Sequence, residues 1–124
     1  MSKGYVYILT NESFRGNLLK IGTSTLPVDE LIDELDTEDL ATPYAPFAII
    51  QTEDFELLEE CSHRKLDQFT EKQWNKALGF YILHPERALG ILFDLVIERG
   101  IGDAIVVRYT DGKPRQVFPP VDAP

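Results

Sequence analysis

The sequence has only one cysteine and no long apolar run. A lone Cys61 excludes an intramolecular disulfide and a metal cluster built on cysteines, and its helix-like surroundings indicate a small core residue. No apolar run approaches the roughly 20 residues that span a bilayer, and the start of the chain lacks the apolar segment of a secretory signal. A length of 124 residues suits one hydrophobic core. We therefore expect one cytoplasmic domain with no membrane contact.

Positive charge is absent from a long central stretch. Between Ile21 and His63 the chain has twelve Asp and Glu residues but no Lys or Arg, and its net charge is -9. Proteins that bind nucleic acids usually cluster Lys and Arg to neutralise phosphates. The composition therefore disfavours direct nucleic-acid binding. It leaves two interpretations of the acidic stretch, a solubilising surface or a surface that binds a basic protein partner.

Apolar runs and turn residues predict the order of strands and helices. Runs rich in β-branched and aromatic residues predict strands at Tyr5–Leu9, Leu18–Gly22, Phe47–Thr52 and Phe80–Leu83. Apolar residues at helical spacing predict helices over Asp29–Asp39, over Glu53–Phe69 and from Pro85 to just before Gly100. An Asp-Gly pair at 111–112 predicts a hairpin between Ala104–Tyr109 and Lys113–Phe118.

These elements predict a small α/β domain. We expect a mixed central sheet of three to four strands flanked by three helices, with the C-terminal β-hairpin added to it. Residues 1–99 are assigned to the domain, and residues 100–124 to a hairpin extension packed on the same domain and a frayed tail. The polar segment Thr70–Lys76 is interpreted as a loop.

Several short motifs carry a family resemblance. The first strand reads Gly-Tyr-Val-Tyr-Ile-Leu-Thr-Asn over 4–11, and the second motif is Lys20-Ile21-Gly22. An acidic and apolar run then contains His63, and the aromatic pair Phe80-Tyr81 follows. In this order the chain resembles the GIY-YIG nuclease superfamily, in the branch typified by a phage open reading frame and a meiotic gene family. The resemblance spans roughly residues 4–96.

The resemblance implies cleavage of phosphodiesters by three cooperating parts. Members of the family use a divalent metal on a glutamate, an arginine on helix one that stabilises the phosphate, and hairpin tyrosines or a lysine that activate water. Two of these parts fall on the wrong residue type here, because Leu31 occupies the arginine position and Gly79 the glutamate position. A catalytically degenerate site follows, with no metal ligand and no cofactor, and magnesium only if the protein is active. What remains of the catalytic set is Tyr5, Tyr7, Lys20 and His63.

Three hypotheses follow. In the first, the protein acts by binding, and its finer form is an acidic DNA mimic of phage or mobile-element type that inhibits a nucleic-acid-binding or defence protein. The residues of this binding face are Asp29, Glu30, Asp33, Glu34, Asp36, Glu38 and Asp39. In the second, the protein is an active metal-dependent DNA endonuclease whose site is reassigned, with Glu56, Glu71 or Glu86 as alternative ligands. In the third, it has a structural or assembly role through the edge strand of the C-terminal hairpin. The oligomeric state stays open.

Overall fold

The computed structural model describes residues 4–11, 18–35, 44–69 and 79–120. Within these ranges the strands are β1 (Gly4–Thr10), β2 (Leu18–Ser24), β3 (Ala45–Thr52), β4 (Phe80–Ile82), β5 (Ile105–Thr110) and β6 (Lys113–Phe118). The helices are α1 (Val28–Leu35), α2 (Phe55–Phe69) and α3 (Pro85–Glu98). The predicted class, a small α/β domain with three helices and a C-terminal hairpin, is confirmed. The predicted end of helix one at Asp39 and the predicted loop Thr70–Lys76 lie outside the described residues.

The described strands form one sheet in the order β4-β2-β1-β3-β5-β6. Strand β1 lies between β2 and β3 and is antiparallel to both. Helix α1 connects β2 to β3. These two strands therefore run in the same direction, but they are not neighbours in the sheet. This is where the structure differs from the predicted mixed sheet, because each pair observed in the sheet is antiparallel. The hairpin continues the same sheet, since β5 pairs with β3.

Side chains alternate along β1 and supply both faces of the sheet. Val6 and Ile8 point to the face covered by α2 and α3, where they join a core with Leu58 and Leu92. Tyr5, Tyr7 and Leu9 point to the opposite face and pack with Leu31 of α1. We call these the α2–α3 face and the α1 face. The residues from Tyr5 to Leu9 are thus all used for packing on one side or the other.

Helix α3 begins with Pro85, whose fixed φ suits the first turn, and His84 caps it by accepting a hydrogen bond from the amide of Glu86 at 3.2 Å. The helix ends at Glu98, where the amides of Gly100 and Ile101 donate to the last carbonyls. Both ends agree with the sequence-based expectation. Among the described residues, no helix is long and apolar enough to cross a membrane.

Candidate functional site

Two tyrosines of β1 lie on the α1 face and are both buried. The hydroxyl of Tyr5 donates a hydrogen bond to the carbonyl oxygen of Leu26 at 2.6 Å. Burial raises the pKa of Tyr5, and the side chain of Ser24 partly opposes that rise. The ring of Tyr7 covers Gly22, where an added Cβ would lie 2.7 Å from Cζ of the tyrosine. The glycine of the second motif is therefore needed for the packing of Tyr7.

Lys20 shares the α1 face with the tyrosines. It pairs with Leu9 across the β1–β2 ladder, and paired residues of neighbouring strands point to the same side. The side chain is only 9% exposed, and its Nζ lies 4.7 Å from the centroid of the Phe80 ring. At this distance the ammonium and the ring attract each other. Three of the four predicted site residues are therefore on one face.

Leu31 stands where the family pattern has an arginine, and it belongs to the core of the α1 face. It is 6% exposed and packs in the same cluster as Tyr5, Tyr7 and Ile49. Helix α1 is amphipathic, so the residue that turns toward the sheet must be apolar to fill this cluster. The position is closed to solvent. A guanidinium placed within this cluster would lose most of its water, which is costly for a charged group.

Gly79 stands where the pattern has a glutamate, and its backbone has a φ of +80°. That value lies in the left-handed region, which strongly favours glycine. Its carbonyl accepts a hydrogen bond from the amide of Ile21 at 2.8 Å. A Cβ on residue 79 would overlap the carbonyl oxygen of Ile21. No side chain, and hence no metal-binding carboxylate, fits this position unless the backbone moves.

The fourth predicted site residue, His63, lies on the other face of the sheet. Its Nδ1 is hydrogen-bonded to the hydroxyl of Tyr81, and the two rings stack with centroids 5.5 Å apart and an angle of 22°. Tyr81 belongs to the core of the α2–α3 face and is 0% exposed. The structure therefore does not bring His63 together with Tyr5, Tyr7 and Lys20.

Burial raises the pKa of Tyr81 to about 12, and the charges of Asp67 and Glu59 add to the rise. The hydroxyl is thus protonated at neutral pH, and it shares a hydrogen bond with Nδ1 of His63. The remaining Nε2 faces the carboxylate of Glu59 at 3.9 Å. The contacts of His63 with Glu59 and Tyr81 thus connect α2 to the edge strand β4.

Sequence reasoning missed Tyr81, although two signals pointed to it. Glu59, His63 and Asp67 are spaced by four residues, which places them in one row on α2. Strand alternation sends Phe80 and Tyr81 to opposite faces, so only one of the pair can accompany Lys20. The register shows that it is Phe80, which pairs with Lys20.

The alternative metal ligands do not converge on the α1 face. Glu86 forms an ion pair with Arg108 next to the start of α3, and Glu56 is exposed in the first turn of α2. Glu71 lies outside the described residues. In the described part of the chain, no group of three or more His, Cys, Asp or Glu side chains is placed to hold a metal ion.

The acidic residues of α1 form its solvent face. Asp29, Glu30, Asp33 and Glu34 are all exposed, above the buried Leu31. We call these four residues the acidic face. Tyr109 lies close enough that the charge of Asp29 adds to the effect of burial and raises the pKa of the phenol. The remaining predicted members, Asp36, Glu38 and Asp39, lie outside the described residues.

Comparison with known proteins gives one match. The model of a family described as the T5orf172 domain matches residues 4–89, which include the tyrosines, Lys20, Leu31, His63 and Gly79. The matched segment is well over half of the chain. No curated protein and no solved structure matches.

Proposed function

We propose that this chain, which belongs to the T5orf172 domain family, acts by binding a basic protein partner and does not cleave nucleic acid. The family is of phage open-reading-frame type and is linked to GIY-YIG nuclease-like folds. The proposal rests on the residues at two positions of the family pattern, the buried Leu31 and the left-handed Gly79. Both are tied to the packing of the fold, and neither can supply the charge that the chemistry requires.

Phosphodiester hydrolysis by such a fold needs positive charge where negative charge develops in the transition state. Leu31 supplies none, and its burial in the tyrosine cluster keeps other groups away. Lys20 is the only cation on the described part of the α1 face, and it lies under the ring of Phe80. One lysine that is 9% exposed is a poor substitute for an arginine and a metal ion.

A general base is also hard to find on the α1 face. The phenol of Tyr5 donates its proton to the carbonyl of Leu26, and its pKa is raised by burial. A phenol with a raised pKa accepts a proton only when it is already ionised, which neutral pH disfavours. His63, the usual type of base, lies on the α2–α3 face with Tyr81. These placements support a site that has lost its catalytic chemistry.

The acidic face supports binding of a basic protein. Four exposed carboxylates in two turns of helix repel phosphates and attract Lys and Arg side chains. An ordered row of carboxylates resembles the phosphates of a DNA strand, so the finer form of the proposal is a DNA mimic. Such a protein would inhibit a nucleic-acid-binding or defence protein in the cytoplasm of the host of a phage or mobile element.

The catalytic half of the proposal is tested with plasmid and single-stranded DNA in the presence of magnesium or manganese. We expect no metal-dependent nicking, while an unrelated metal-dependent endonuclease serves as the positive control. Metal-dependent nicking by the wild type that Lys20→Ala abolishes would establish the reassigned endonuclease instead.

The binding half is tested by capture of partners from the native host. A variant with Asp29→Asn, Glu30→Gln, Asp33→Asn and Glu34→Gln should lose the partner. A control with Glu53→Gln, Glu56→Gln, Asp94→Asn and Asp111→Asn removes the same number of exposed charges elsewhere and should keep it. Equal capture by both variants would refute the role of the acidic face. If the captured partner is released by duplex DNA, the mimic is supported, and if it is not, the partner is bound outside its nucleic-acid groove.

A further inference from the structure

A second surface, which is basic and so opposite in charge to the acidic face, lies between the C-terminal parts of α2 and α3. It is a cavity of about 220 Å³, which we call the α2–α3 notch. The residues of the notch used below are Cys61, Arg64, Lys65, Gln68, Glu98 and Arg99. Because α2 and α3 cover the face of the sheet opposite α1, the notch and the acidic face are on opposite sides of the molecule.

The notch concentrates positive charge in a chain whose net charge is -9. Arg64 and Lys65 come from α2 and Arg99 from the end of α3, and Glu98 is the one carboxylate in the lining. The formal sum of the lining is +2, from three cations and one anion, and the Glu60 carboxylate that pairs with Arg64 reduces the local sum to +1. Two helices thus contribute cations to one concave site, which distinguishes the notch from cations that merely follow one another along a helix.

The arginines are able to turn toward a ligand. Arg64 is hydrogen-bonded to Glu60 at 2.6 Å, but this pair is on the surface, with side chains 70% and 59% exposed. Exposed pairs of this kind contribute little, so exchanging the partner costs little. The guanidinium of Arg99 makes no ion pair with any residue in the described ranges. Gln68 adds a neutral side chain that can donate a hydrogen bond.

We infer that the α2–α3 notch binds the phosphate group of a small phosphorylated ligand. A phosphate monoester carries a charge of about -1.5 to -2 at neutral pH, which is opposite in sign to the net positive charge of the lining. A planar guanidinium group can bind a phosphate through two parallel hydrogen bonds to its oxygens. The volume is below the roughly 300 Å³ of the smallest common ligand pockets, so the notch has room for the phosphate group and leaves the rest of the ligand outside.

This inference does not depend on the proposed function. The acidic face and the notch use different helices and no common residue. Loss of partner capture in the acidic-face variant leaves the notch intact, and loss of phosphate binding in a notch variant leaves the acidic face intact. The two can therefore fail separately.

The experiment is a titration of the ¹⁵N-labelled full chain with inorganic phosphate, followed by amide chemical shifts. We expect saturable shifts at Cys61, Gln68 and Arg99, with a dissociation constant in the millimolar range or tighter. Arg99→Ala should weaken binding at least several-fold. Arg115→Ala, which removes an exposed arginine from β6, should leave it unchanged.

Two further arms define the ligand. Sodium acetate at equal ionic strength should produce no saturable shift, and adenosine monophosphate should bind at least as well as phosphate if the natural ligand is a nucleotide. Tighter binding of phosphate than of adenosine monophosphate would identify a free phosphate or a smaller ester. The inference is overturned if phosphate gives no saturable shift at the notch, or if Arg99→Ala and Arg64→Ala both bind as well as the wild type.

Discussion

The hydroxyl of Tyr81 is hydrogen-bonded to Nδ1 of His63, on the face of the sheet opposite Tyr5 and Tyr7. The pair joins the middle of α2 to edge strand β4, which is only three residues long. A histidine that the family resemblance assigns to a nuclease pocket therefore has a structural partner in this chain. The contribution of this hydrogen bond can be measured as a change in the free energy of unfolding.

Tyr81→Phe should reduce the free energy of unfolding by about 1 kcal/mol, because it leaves Nδ1 of the half-buried His63 without its hydrogen-bond partner. Chemical denaturation at neutral pH measures this difference. The matched control is Tyr81→Phe in a His63→Ala background, where the same change should have little effect. Equal effects in both backgrounds would show that the hydroxyl does not act through His63.

The same phenol makes stability depend on alkaline pH. The pKa of Tyr81 rises from 10.0 to about 12 in the folded protein, mainly because of burial. Folding holds the proton more tightly than the unfolded chain does, so this contribution is complete below pH 10.0 and is lost as pH rises toward about 12. Thermal unfolding across this window should show a steeper loss of Tm for wild type than for Tyr81→Phe. Parallel curves for the two proteins would contradict the assignment.

Leu31→Arg should not restore nuclease activity and should destabilise the protein by roughly 2 to 5 kcal/mol, because it places a charge in the tyrosine cluster. Leu31→Met is the control of similar volume and should cost less than about 1.5 kcal/mol. Urea unfolding compares the variants, and the DNA cleavage assay follows on the folded fraction. A stable Leu31→Arg protein that cleaves DNA would mean that the α1 face is still an active-site scaffold.

Gly79→Ala should destabilise the protein by about 1 to 3 kcal/mol, since an alanine at φ +80° is strained and its Cβ overlaps the carbonyl of Ile21. Gly90→Ala is the control, and its effect on stability should have the opposite sign. Gly90 lies within α3 with no atom near an added Cβ, and alanine there should stabilise by about 0.5 to 1 kcal/mol. Thermal unfolding of both variants tests the pair. If Gly79→Ala is as stable as wild type, residue 79 is free to carry a side chain.

The sheet edge formed by β6 should not pair with a second copy of the chain. Strand β6 carries Lys113, Pro114 and Arg115 along its exposed edge, and charges and proline at an edge prevent pairing with another chain. We expect a monomer by light scattering. Lys113→Gln with Arg115→Gln should increase association, whereas Arg87→Gln with Arg99→Gln removes the same charge away from this edge and should not. A wild-type dimer that disappears when residues 104–118 are deleted would favour the assembly hypothesis.

Local patterns in the sequence predict the elements well. Strand β6 has the bounds that the Asp-Gly turn predicts, and helix α3 begins at the predicted Pro85. These elements depend on interactions between residues close in the chain. The neighbours of each strand depend on contacts far apart in sequence, which is why the mixed sheet was expected and an antiparallel one was found.

The candidate site was predictable only in part. The residue types at positions 31 and 79 are visible in the sequence, and they alone suggest lost chemistry. Gly79 disfavours a side chain because of its φ of +80° and its contact with the carbonyl of Ile21, which no local pattern reveals. The side of the sheet on which His63 lies depends on how α2 crosses the strands, and helical spacing does not determine this.

Strand β1 has a consequence for how relatives of this protein are recognised. Because it is an interior strand of the sheet with a helical layer on each side, its tyrosines anchor one layer while Val6 and Ile8 anchor the other. The residues from Tyr5 to Leu9 are therefore required by the packing of the sheet, whether or not the protein catalyses a reaction. A shared first strand indicates a shared shape and does not by itself indicate an enzymatic activity.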